Sequence, residues 1–264
     1  MVVEVEVKRR HLSYLGFVLI LLLFNAVRIR SSAFLSHLDV GQEVAYAIIG
    51  ITLTAVLITF SSRYDKDFIR KSFRGFKPKL WKTAFGLALG VFCMSLRYLI
   101  LFKTNFIGVY PFFETEYFIL ILTLRAIESL MWVTLILGFV LKELLRKNTA
   151  LTSMTAVGLL HAILQVETTI LTTPDASTLL SAEAVLGLAP VFMLYFTLSY
   201  AYVITRGLWL PAAALLGWSI SDYGIVAVLR PNLLVYNGVY DSVVTTILLA
   251  GLLFAVDNFG RTRR

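Results

Sequence analysis

Three side chains able to exchange protons, Glu128, His161 and Asp222, stand inside long apolar stretches of the sequence. A charge at membrane depth costs about 2.5–3.5 kcal/mol on insertion scales, so each needs a reason to be there. At a helical rise of about 1.5 Å per residue, Glu128 lies about 21 Å from the cytosolic end of its stretch, His161 about 18 Å and Asp222 about 22 Å. Three helices thus carry a Glu, a His and an Asp to nearly one level, which predicts a common buried polar cavity. A carboxylate beside an imidazole can take a proton from water as a general base. The same three groups can also do no more than satisfy one another inside a bundle, and the spacing leaves both readings open.

The neighbours of these residues refine the picture. Arg125 precedes Glu128 by three positions, which puts both on one helix face and predicts an ion pair. Ser219 and Ser221 flank Asp222, with Gly217 and Gly224 around them, a composition that permits close helix packing. Arg97 and Glu167 fall near the outer ends of their stretches and are expected to snorkel. No cofactor is indicated. One His and two carboxylates on three helices do not have the local spacing of a metal site. Cys93 is the single cysteine and reads as packing. His11 and His37 lie at a membrane edge or in a loop. No GxGxxG or Walker loop is present.

The elements that must position these groups are membrane helices. Of 264 residues, 58% are hydrophobic and 15% charged, with a mean hydropathy of +0.81. Lipid must be the solvent for most of such a surface. Apolar stretches long enough to span a bilayer run over 12–29, 44–61, 83–103, 118–142, 149–168, 183–204, 208–229 and 242–257. The reading is an all-α, polytopic bundle of about eight transmembrane helices, forming one domain over 1–264. The fourth stretch is over-long and is expected to tilt or break near Arg125. The first follows Lys8, Arg9 and Arg10, has no small-residue cleavage site after it, and reads as a retained helix.

Charge sets the expected orientation. Of the 24 Lys and Arg residues, the outer segments of an eight-span model hold only Arg28, Arg30, Lys103 and Arg230. The excess of basic residues then lies inside, with both termini cytosolic and the chain multi-pass in the cell membrane. The formal charge of +8 is explained by these loops, and nucleic acid is not an expected partner. The segment 61–82 mixes basic residues with Phe68, Ile69, Phe73, Phe76 and Trp81, and reads as an amphipathic stretch on the anionic cytosolic leaflet.

Several local patterns carry a resemblance. Phe68-Ile-Arg-Lys-Ser-Phe-Arg-Gly-Phe-Lys-Pro-Lys-Leu-Trp81 leads into an apolar helix. Glu128-Ser-Leu-Met-Trp-Val133 is followed by the basic exit Leu141-Lys-Glu-Leu-Leu-Arg-Lys147. Val157-Gly-Leu-Leu-His161 and Tyr202-Val-Ile-Thr-Arg-Gly-Leu-Trp-Leu-Pro211 complete the set. In order and character these stretches resemble the CPBP (Abi) family of membrane proteins, which includes the type II CAAX prenyl endopeptidases. They look like its amphipathic loop, its EExxxR helix, its FxxxH motif and the entry to its last motif helix. The resemblance implies that Glu128 activates water against a peptide carbonyl, that His161 assists, and that a later pair stabilises the oxyanion. The departures are Ser129 for the second Glu, Val133 for the Arg and Val157 for the Phe. The last pair falls on Leu215 with Ser219 or on Trp218 with Asp222, and neither supplies a second His.

Three functions are consistent with these residues. The first is a divergent glutamate-dependent intramembrane peptidase using Glu128 and His161, with Asp222 or Ser219 in the last position. The second is a catalytically inactive relative that binds a lipidated peptide or a membrane partner. The third is a small transporter with Glu128, His161 and Asp222 as a relay.

Overall fold

A backbone placed in hydrocarbon has no water to bond, so a chain this apolar must satisfy its amides internally. The computed structural model describes residue 16 and residues 18–31, 42–64, 80–104, 118–172, 181–228 and 238–261, which are helical and contain no strand. The helices are α1 (18–31), α2 (Gln42–Tyr64), α3 (Leu80–Lys103), α4 (Phe118–Leu145), α5 (Ala150–Thr172), α6 (Ala182–Thr205), α7 (Trp209–Val228) and α8 (Gly238–Arg261). Among the described residues, five segments are long and apolar enough to cross a membrane: Leu80–Lys103, Leu122–Leu145, Ala150–Thr172, Ala184–Thr205 and Gly238–Asn258. Ala47–Thr59 within α2 is a shorter apolar helix. Large apolar side chains such as Phe92, Ile119, Ile247 and Phe254 face outward, as a lipid-bathed surface requires. Most of the 61–82 stretch expected on the leaflet surface lies outside the described residues; α2 continues through Tyr64 and α3 begins at Leu80.

Helix ends follow local chemistry. Ser181 caps α6, its side chain accepting from the Ala184 amide at 3.1 Å. α6 closes on Arg206 in the left-handed region (φ 49°), a conformation usually left to Gly or Asn. Pro211 sits in the first turn of α7, where its missing N–H costs little.

α4 is the central helix, but its irregularity is not where the sequence suggests. It is regular α-helix through Arg125, from Phe118 to Leu135. Ile136–Leu141 then forms a π-turn before α-geometry returns at Lys142–Leu145. Apart from the half-buried Phe139, that turn is fully buried, and it forms the main apolar core with Val133, Val157, Leu160 and Leu198. The expected break near Arg125 is therefore a change of helical pitch three turns later, where packing on every side holds the wider turn.

The closest helix pair is α3 with α7. Lipid provides no hydrophobic drive for helices to associate, so small residues that let backbones meet supply the contact. A Cβ on Gly86 would come within 2.5 Å of the Leu210 carbonyl oxygen, and a Cβ on Gly90 would overlap that of Ala214. A Cβ on Gly217 would strike the Leu87 carbonyl oxygen from the opposite side. The small residues expected around Asp222 thus do pack closely at Gly217; the side-chain surroundings of Gly224 lie outside the described residues.

Candidate functional site

Glu128 projects from α4 into a gap between α1 and α2. One carboxylate oxygen is paired with the Arg28 guanidinium of α1, and the other accepts from Arg125 Nη1 at 3.1 Å. The intrahelical pair read from the Arg125–Glu128 spacing is present, and a second arginine, from a residue 100 positions away, joins it. Gly50 of α2 makes room for this: a Cβ there would lie 2.5 Å from Glu128 Oε1 and 3.1 Å from Arg28 Nε. Any larger residue at 50 would push the pair apart.

One helical turn beyond Glu128, Trp132 reaches His161 on α5. Its indole Nε1–H can only donate, and it donates to His161 Nε2 at 2.9 Å. The lone pair of that nitrogen is thereby used, so the ring proton sits on Nδ1 and is donated to the Val157 carbonyl at 3.0 Å. Tyr195 of α6 stacks on the imidazole, with ring centroids 3.2 Å apart and planes 13° from parallel. His161 is buried, with both nitrogens engaged and one face covered. Trp132 thus shares a helix with the carboxylate and bonds the imidazole of α5. A cavity of about 20 Å³ lies beside it, lined by Asn25, Arg28, Gly50, Thr54 and Trp132 among others. That is room for about one water molecule.

Asp222 belongs to a separate network joining α3, α7 and α8. Its Oδ1 accepts from Tyr98 at 2.6 Å and from Arg97 Nη1 at 3.3 Å. Arg97 is held in a fork by Asp241 of α8, with Nε to Oδ1 at 2.6 Å and Nη2 to Oδ2 at 2.5 Å. Thr245 donates to the same Asp241 Oδ1 at 3.2 Å. Arg97 therefore does not snorkel. It is three-quarters enclosed or more and bridges two carboxylates. Glu167 likewise finds an interior partner, accepting from Asn25 of α1 at 2.9 Å.

Ser219 stands one turn before Asp222 on α7 and makes a contact of its own. Its hydroxyl meets that of Ser129 at 2.9 Å, tying α7 to α4. The four candidate residues thus divide among separate contacts: Glu128 with two arginines, His161 with Trp132 and Val157, Asp222 with Arg97 and Tyr98, and Ser219 with Ser129. Among the described residues, no group of His, Cys, Asp and Glu side chains is placed to hold a metal ion.

Several partners were not visible in the sequence reading. Arg28 and Asp241 sit at the edges of apolar windows, where a charge ordinarily marks the end of a span, and Trp132 and Tyr195 stand among apolar residues.

Comparison with protein-family models, with curated proteins and with solved structures finds no match to this chain.

Proposed function

We propose that this chain is a CPBP-like membrane protein in which the glutamate and histidine of the hydrolytic machinery have become helix clamps, and that it binds a lipidated or membrane-embedded partner rather than cutting it. One observation carries the reading: the groups a peptidase would turn toward water are turned toward the protein. Both Glu128 oxygens face arginines, and both His161 nitrogens have protein partners. A general base must reach the proton of an attacking water, and an assisting imidazole must keep one nitrogen available to it. Asp222 and Ser219, the two candidates for the oxyanion position, are engaged in networks of their own. The resemblance in motif order supports the family reading, and the apolar exterior supports a lipid environment. In this reading all eight helices cross the bilayer with both termini cytosolic, which reporter fusions at each end test directly.

The test of function is cleavage. Purified protein in nanodiscs, given a fluorogenic prenylated CAAX peptide, is expected to show no turnover above protein-free discs, with Glu128→Gln indistinguishable from wild type.

One feature favours the alternative of an active peptidase: the cavity of about 20 Å³ lined by Arg28 and Trp132 has room for a water within a turn of Glu128. Turnover by wild type that Glu128→Gln abolishes without unfolding the protein would establish that alternative and overturn the binding role.

A further inference from the structure

Arg28 and Arg30 are two residues apart on α1, so their side chains leave the helix about 200° from each other. Arg28 turns inward to Glu128. Arg30 turns outward and is exposed, and among the described residues it has neither a carboxylate nor a hydrogen-bond partner. Beside it a groove of about 470 Å³ runs between the C-terminal end of α1 and the first half of α2. Arg30 and Ser31 stand in this groove with Val27, Ile48, Ile49 and Leu53. Its size falls within the range of about 300–1,000 Å³ that small-molecule sites occupy.

The groove is two-part in its chemistry. The guanidinium presents a planar fork of donors that matches a phosphate oxygen pair, and the Ser31 hydroxyl adds another donor. Apart from Thr52, the rest of the wall is branched aliphatic side chain, with Ile48 and Val27 open to the surroundings. A soluble anion would use only the first part, and a neutral lipid tail only the second. A phospholipid uses both, setting its phosphate on the cation and its acyl chain along α2, and an anionic one brings a net charge that no headgroup ammonium offsets. We propose that this groove is a specific binding site for an anionic phospholipid. The proposal is independent of whether the chain cleaves peptides, since it draws on no residue of the Glu128 or His161 contacts.

Native mass spectrometry of the full chain tests it, with phosphatidylglycerol or phosphatidylcholine titrated into the detergent-solubilised protein. Phosphatidylglycerol is expected to be retained at one saturable site and phosphatidylcholine to be lost. Arg30→Gln is expected to weaken retention about fivefold or more, the effect of one basic residue at a lipid surface. Leu53→Trp, which fills the aliphatic part, is expected to weaken it similarly, whereas Lys147→Gln, an exposed cation elsewhere, is not. Arg30→Gln changes an exposed side chain and leaves the fold intact, so its result stands even if Leu53→Trp destabilises the bundle. Equal retention of both lipids, or retention by Arg30→Gln equal to wild type, overturns the proposal. So does full displacement of phosphatidylglycerol by millimolar inorganic phosphate, which would make the site one for a free anion.

Discussion

Replacing Asp241 with Asn removes a carboxylate that holds Arg97 in a two-point fork at 2.5 and 2.6 Å. The Arg97 side chain is 16% exposed and that of Asp241 7%, so the guanidinium left behind cannot recover its charge balance from water. Breaking one half of a buried ion pair typically costs about 3–5 kcal/mol. Asp222 remains at 3.3 Å from Nη1 and matches part of the charge, which places the expected loss at the lower end, about 3 kcal/mol. Removing both members is a different matter. Arg97→Met with Asp241→Asn leaves only Asp222 without its cation, and that side chain is 44% exposed and still accepts from Tyr98; exchange of a buried pair for uncharged side chains is often close to neutral. A double-mutant cycle of these two changes is therefore expected to give a coupling energy of about 2 kcal/mol or more, within the range found for interacting neighbours. Unfolding by SDS in mixed micelles, followed by tryptophan fluorescence, measures it. A coupling below about 0.5 kcal/mol would refute the reasoning, because it would mean that the fork contributes no more than an exposed pair.

Other outcomes follow from the same contacts. Gly90→Val forces side-chain atoms against the Ala214 carbonyl and is expected to cost about 1–3 kcal/mol or more, whereas Gly187→Ala, inside α6 with nothing near its added methyl, is expected to stabilise by about 0.5–1 kcal/mol in the same unfolding assay. Trp132→Phe keeps the aromatic bulk but leaves His161 Nε2 without its donor, an expected loss of about 1–3 kcal/mol, and a shift of the imidazole nitrogen resonances in ¹⁵N NMR reports the change. Ser129→Ala and Ser219→Ala are expected to couple by only about 0.6 kcal/mol, the mean for hydrogen bonds between membrane helices. Glu143→Gln, which breaks the exposed pair with Arg146 near the end of α4, is expected to change stability by less than about 0.5 kcal/mol.

The limits of sequence reading here are angular. Hydropathy places the helices along the chain, because about 20 apolar residues are needed whatever the neighbours do. Depth follows from rise per residue, which is why Glu128, His161 and Asp222 could be set at a common level. Rise says nothing of which way a side chain faces around a bundle. Asp222 turns to Arg97 and Tyr98 on α3, whereas Glu128 turns to α1, and a shared level does not bring the two into contact. The local pairing of Arg125 with Glu128 was legible because a three-residue step on one helix fixes the facing. The Arg28–Glu128 and Arg97–Asp241 pairs span 100 and 144 residues, and only the assembled bundle defines them. Glycine carried more information than charge did: Gly86, Gly90 and Gly217 mark a backbone seam, and Gly50 marks the clearance an ion pair needs.

The wide turn at Ile136–Leu141 has a consequence for how one rod serves two audiences. A single extra residue in a helix rotates everything after it by about 100°. Before the slip, α4 packs mainly on α2 and α7, with Trp132 already reaching α5; through it and beyond, it addresses α5 and α6. Deleting one residue there would restore an even pitch and turn Glu128 or the basic exit away from its own neighbours, since no uniform screw satisfies both halves. The phase slip lets one continuous helix change partners midway.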